Sequence, residues 1–195
     1  MPSPRWPVIA WRDDAPLRVL VEDFVRETAG VTYRVEAGFD RFDGASIPRW
    51  AWTGIGHPFM REYERAALVH DYLYGRPEAR EAVGLGEDRA AVDRLFLAHL
   101  LEDGVSPAAA HVMWWAVQRF GEPRFRCAAS EGLVGMDAAE VEALESDDCD
   151  CAEREIAALL AEDGGVDDNQ ERRWLREGLA VLDFGAIKAR WKGLR

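Results

Sequence analysis

No apolar run in this chain approaches the roughly 20 residues needed to span a bilayer, so no membrane span is expected. Positive charge is also scarce: 24 Lys and Arg stand against 36 Asp and Glu, a formal net charge of −12. That balance counts against sequence-independent nucleic-acid binding, which relies on a basic surface to displace counterions, and against docking on anionic lipid. The three cysteines, Cys127, Cys149 and Cys151, do not make a disulfide framework. Cys149 and Cys151 flank Asp150 in an acidic run with no further zinc ligands nearby, which reads as a solvated loop. The opening residues, Met1 to Pro7, lack the apolar core of a signal peptide, so synthesis and folding in a cytoplasm are expected. Also missing are a Gly-rich phosphate loop, a His-Glu-x-x-His zinc helix and a Gly-x-Ser-x-Gly nucleophile elbow.

What is present is a globular composition, 48% hydrophobic with eight tryptophans. The acidity is uneven. Residues 128–195 carry 17 acidic and 8 basic side chains, against 19 and 16 in residues 1–127. Three parts follow: an extended, proline-bearing arm over 1–16, a main α+β domain over 17–127, and an acidic helical extension over 128–195. In the main domain Leu17, Val19 and Val21 alternate with polar residues, as do Val31, Tyr33 and Val35. Both segments read as half-buried strands, with Thr28-Ala-Gly30 as the turn between them and a third short strand over Phe39–Phe42. Ser46 ahead of Pro48 reads as the start of a short helical segment. A helix is then predicted from about Arg61 to Tyr74, stopped by Gly75 and Arg76-Pro77, followed by a polar loop over 76–86. Further helices are predicted over about Glu87–Asp103 and from Ser106-Pro107 to Phe120-Gly121. The expected fold is mainly helical: a small antiparallel sheet on an antiparallel three-helix bundle, plus the acidic appendage. The first 127 residues are expected to fold without that appendage.

The helix over 61–74 organises the rest. At helical spacing Tyr63, Ala67, His70 and Tyr74 form one stripe, with Asp71 about 100° round from His70. The neighbours are small and apolar, so His70 and Asp71 are expected to need protein partners. His70 lies about 5 residues before its helix ends and Asp93 about 6 after the next begins, which puts them at similar height in an antiparallel pair. Asp93 would accept a hydrogen bond from one ring nitrogen of His70, leaving the other as a general base. Asp71 and Asp43 would remain as hard oxygen ligands for one divalent cation, calcium or another, with loop carbonyls near Gly44 completing the shell. Gly44, Ser46 and Tyr74 are supporting residues. Each of these groups also has an ordinary structural use: Asp43-Gly44 with Ser46 as a turn and cap, His70 as a bonded core histidine, Asp93 as a clamp. Their convergence is what points to a site. His99 reads as packing at a helix flank and His57 as a loop residue. His111, Trp114, Trp115 and Gln118 read as a core or interface stripe.

Asp43-Gly-Ala-Ser-Ile-Pro-Arg49, His70-Asp-Tyr-Leu-Tyr74, Asp93-Arg-Leu-Phe96 and Arg119-Phe-Gly121 occur in this order. In this the chain resembles a family of small phage and prophage proteins classed as a domain of unknown function, over roughly residues 17–121. Phe42 departs from it, where a Thr would be expected. The resemblance implies a phage context and no reaction. Locally, His70-Asp71-x-x-Tyr74 is also similar to the helix of calcium-dependent secreted phospholipases, in which a second antiparallel helix supplies an Asp to the His. The disulfides and Gly-rich calcium loop of those enzymes have no counterpart here.

Two functions are compatible with these residues. One is a metal-assisted hydrolase of an ester or amide, directed at the cell envelope. The other is a non-enzymatic phage assembly or virion component in which the same groups form a buried network and the acidic helices dock a protein partner.

Overall fold

The computed structural model describes residues 6–11, 18–40, 42, 61–121 and 125, together with 170, 173, 177 and 178. Asp43, Gly44, Ser46, His57, Cys149 and Cys151 lie outside the described residues, as does most of the acidic helical extension expected over 128–195. Among the described residues the architecture mixes helices with small antiparallel sheets. Strands β1 (Ile9–Trp11) and β2 (Arg18–Leu20) pair with each other, as do β3 (Phe24–Thr28) and β4 (Val31–Val35). Helices α1 (Arg61–Gly75), α2 (Pro77–Ala82), α3 (Arg89–Glu102) and α4 (Pro107–Phe120) follow.

The strand Val31–Val35 forms where alternation predicts it, with Tyr33 and Val35 buried and Val31 exposed. Its partner is different. The turn at Ala29-Gly30 joins it to β3 and not to β2, with Thr28 opposite Val31. Both turn residues have positive φ (52° and 79°), as a two-residue hairpin of matching twist requires. In β2 the buried residue is Leu20, while Val21 beyond the strand is exposed, so the expected inward set was out of step. Part of the expected extended arm is strand β1. Phe39 and Phe42 bond the other edge of β2: Leu20 N–H donates to Phe39 C=O at 2.9 Å and Arg18 N–H to Phe42 C=O at 2.9 Å.

Helix α1 is the centre of the molecule. Ala66 to Tyr74 are all buried, so this stretch is enclosed on every side rather than along one stripe. Alanines at 66 and 67 let neighbours approach closely. α1 packs on α3, β4 and α2, and α3 packs in turn on α4. Two pairings set the relative direction of α1 and α3: His70 with Asp93, and Arg65 with Asp103. The residue numbers rise on one helix as they fall on the other, so the two are antiparallel.

The segment predicted as a polar loop contains a helix, α2, with Pro77 in its first turn. The reason is Arg80, which is fully buried. Its guanidinium donates to the Leu73 and Tyr74 carbonyls (2.8 and 3.1 Å), the Gly86 carbonyl (3.0 Å) and the Glu87 carboxylate (3.0 and 3.1 Å). α1 has no basic residue in its own last turn, so Arg80 satisfies carbonyls that would otherwise be orphaned. Phe125 covers the guanidinium face at 4.3 Å.

The remaining helix ends follow their sequence signals. Asp88 accepts from Ala91 N–H at 2.9 Å to open α3, and Ser106 accepts from Ala109 N–H at 3.4 Å to open α4. From the acidic extension, Gly178 is buried against α4: a side chain there would meet the Ala108 carbonyl oxygen at 2.6 Å.

Candidate functional site

His70 projects from the last third of α1 into the α1–α3 seam and is 3% exposed. Its Nε2 lies 3.1 Å from Asp93 Oδ1, the juxtaposition that the helix spacing predicts. An ionised carboxylate can only accept, so in the neutral ring Nε2 carries the hydrogen and Nδ1 the lone pair. Tyr74 stacks on the imidazole at 4.2 Å between centroids and Phe96 at 4.6 Å. One edge is thus bonded and both rings lie close, which leaves little freedom for rotation. The Nδ1 edge faces Asp71 Oδ1 at 3.9 Å. That distance is too long for a hydrogen bond but short enough for strong charge attraction. Burial pushes the His70 pKa down, yet the carboxylates of Asp71 and Asp93 outweigh it and the net direction is upward.

Asp93 is 0% exposed and is bonded on both oxygens. Oδ1 also accepts from the Tyr74 hydroxyl at 2.5 Å, and Oδ2 accepts from Arg89 Nη1 at 3.0 Å. A buried carboxylate with three donors meets the conditions under which burying a charge is tolerable. Burial and the neighbouring Asp93 charge push the Tyr74 phenol far above its ordinary range, so it serves as a donor and stays neutral. Gly121, from the Arg-Phe-Gly stretch, completes the packing: a Cβ there would sit 2.6 Å from Tyr74 Oη. Only a glycine leaves room for that hydroxyl to reach Asp93.

Of the sequence-predicted residues, His70, Asp71, Tyr74 and Asp93 come together. Asp43, Gly44 and Ser46 lie outside the described residues. Among the described residues no group of three or more His, Cys, Asp or Glu is placed to hold a metal ion. Sequence reasoning did not pick out Arg89, although its position four residues before Asp93 on one helix is the ordinary spacing of a helical ion pair. It also placed His99 at a helix flank, whereas His99 is fully buried. Neither of its ring nitrogens has a hydrogen-bond partner; Tyr33 meets it edge-on at 5.4 Å. Burial, with Arg26 and His70 nearby, holds the His99 pKa down at about 3.

At the other end of the same helix pair, Asp103 accepts from Arg65 at 2.6 Å and Arg26 at 2.9 Å. Arg26 and Thr28 also donate to Glu102, at 2.8 and 2.9 Å. This cluster ties the β3–β4 hairpin to α1 and α3.

Comparison with known proteins gives a family and two relatives. Two curated relatives come from Sinorhizobium fredii (strain NBRC 101917 / NGR234). The uncharacterized protein y4jT is 35% identical over 112 residues, 56% of this chain and 30% of its own. The uncharacterized protein y4iH is 30% identical over 109 residues, 51% of this chain and 42% of its own. The chain therefore spans less than half the length of either. No solved structure matches it. The family model described as "Protein of unknown function (DUF1353)" matches residues 18–117, which include β2 to β4, His70, Asp71, Tyr74, Arg89 and Asp93. By that match, over half of its length, the chain belongs to the DUF1353 family.

Proposed function

We propose that this chain is a hydrolase of ester or amide bonds in which His70 activates water, acting in a phage or prophage setting on the cell envelope. One observation carries this reading. Asp93 occupies Nε2 of His70, and Tyr74 and Phe96 stack against the ring, so the basic Nδ1 edge is the one held towards Asp71. A general base needs its tautomer fixed by a partner on the opposite nitrogen, and Asp93 is that partner. A divalent cation held by Asp71 and Asp43, with a carbonyl near Gly44, would supply positive charge for the developing oxyanion.

A second reading has its own support in the low exposure of His70 (3%) and Asp93 (0%). In it the same groups lock α1 to α3, and the chain is an assembly or virion component that docks a partner through its acidic helices. One assay separates the two. The full chain is incubated with fluorogenic carboxylic esters and amides in calcium, magnesium, manganese, zinc or chelator. The hydrolase reading predicts cation-stimulated turnover that falls by roughly 10²-fold or more in His70→Asn. Asp71→Asn should weaken the cation response, and Asp93→Asn should lower turnover while sparing it. Turnover at buffer level under every condition would favour the assembly role.

A further inference from the structure

Arg89 stands one turn before Asp93 on α3, and its guanidinium is shared between two tasks. Nη1 donates to Asp93 Oδ2 at 3.0 Å and to the Val117 carbonyl at 3.1 Å; Nη2 donates to the Gln118 carbonyl at 3.1 Å. The two carbonyls belong to the last turn of α4, and that of Val117 also accepts from Gly121 N–H at 2.8 Å. The planar fork of a guanidinium suits this geometry because it presents several donors in fixed directions. One residue on, Gly121 lies against the Tyr74 hydroxyl. The end of α4 therefore touches the Asp93 network twice, once through Arg89 and once through Tyr74.

We infer that Arg89 is a positioning residue for His70: braced on the end of α4, it holds the Asp93 carboxylate oriented so that Asp93 accepts from Nε2 and, in the neutral ring, leaves Nδ1 as the lone-pair nitrogen. With Arg89 on Oδ2, Asp93 offers Oδ1 to Tyr74 and His70. Without that cation, Asp93 would share its negative charge with the phenol and imidazole alone, at a site 0% exposed. Such a carboxylate can rotate off Nε2, and an imidazole that has lost this acceptor is no longer held to one tautomer. Among the described residues, the groups facing His70 are Asp93 and Phe96 from α3 and Asp71 and Tyr74 from α1, with His99 nearby on α3. Among these side chains none is an arginine or lysine, which is why the charge on Arg89, one contact away, matters to the ring. The inference rests on the hydrolase reading only for the statement that Nδ1 is the working nitrogen.

The test reads the tautomer directly and needs no substrate. Long-range proton–nitrogen correlation spectra of the full chain, labelled with ¹⁵N-histidine, are recorded at a pH where His70 is neutral. Wild type should show the Nε2–H tautomer of His70 at roughly nine-tenths or more, since that form donates to Asp93 at 3.1 Å while Asp71 stands 3.9 Å from Nδ1. Arg89→Gln should give a mixture of the two tautomers, and Arg89→Lys, which keeps the charge, should restore the wild-type pattern. A folded Arg89→Gln protein with the wild-type pattern would overturn the inference, because a plain cap of α4 affects stability and not the imidazole. Loss of the pattern in Arg89→Lys to the same extent as in Arg89→Gln would overturn it too. If Arg89→Gln does not fold, Arg89→Lys decides alone: retention of the Nε2–H form supports the role and its loss contradicts it. Absence of hydrolysis by wild type would remove the hydrolase reading and leave the tautomer result standing.

Discussion

The two ends of the α1–α3 pair are held by different chemistry. At one end Asp103 joins Arg26 and Arg65. At the other, Asp93 joins His70, Tyr74 and Arg89. Both carboxylates are nearly inaccessible, yet among the described residues only the second bonds a histidine ring. The Asp103 cluster is a fixed clamp, and its job is to fasten the hairpin. The Asp93 cluster also fastens two helices, but it does so through an imidazole between two carboxylates, a more expensive arrangement than a core of leucines would be. The extra cost of that end is what makes it a candidate site.

The comparison breaks most sharply by removing each carboxylate. Asp93→Ala would strand a buried imidazole, a phenol and a guanidinium together, and should cost about 3–5 kcal/mol. Asp103→Ala leaves Arg26 its bonds to Glu102 and the His99 carbonyl, and should cost about 1–3 kcal/mol. Chemical denaturation of both variants at one pH checks the order; equal losses would mean that the two ends are the same kind of clamp.

A smaller, pH-dependent effect sharpens it further, because the two buried histidines of this helix pair shift in opposite directions. His99 is neutral in the fold with its pKa held at about 3. Its contribution is intact above an unfolded pKa of about 6.5 and is lost as pH falls from there towards 3, by about 1.4 kcal/mol per pH unit at most. For His70 the folded pKa is raised. Its contribution is full below about pH 6.5 and disappears as pH rises through the folded value. Denaturation midpoints across this range should therefore lose an acid limb in His99→Leu and a neutral-to-basic limb in His70→Asn. Parallel curves for wild type and His99→Leu would show that His99 is not held neutral.

Much of this was legible in the sequence, and the gaps have physical causes. Gly75 with Pro77, Asp88, and Ser106-Pro107 mark helix ends by backbone chemistry that any reader of the chain can apply. The His70–Asp93 contact follows from counting turns in an antiparallel pair. Strand β3 was hidden because Arg26 and Glu27 break up its apolar face; Arg26 is paired with acids on α3, which no local pattern reveals. Arg80 fell within the polar loop expected over 76–86, and its burial depends on carbonyls at the end of a different helix. Arg89 looked like an ordinary first-turn charge for the same reason. The role of Gly121 needed the position of the Tyr74 hydroxyl, which is a tertiary fact.

The central claim is that Nδ1 of His70 is the reactive edge of an oriented imidazole. Carbethoxylation of the native full chain, followed residue by residue by mass spectrometry, tests it most directly. Of the two histidines in the α1–α3 seam, the account predicts that His70 is modified, at Nδ1, well before His99, whose ring is fully enclosed. Modification of His70 should also run in step with loss of any hydrolytic turnover. A His70 that resists the reagent as completely as His99 until the protein unfolds would contradict the claim and leave the pair as a structural clamp.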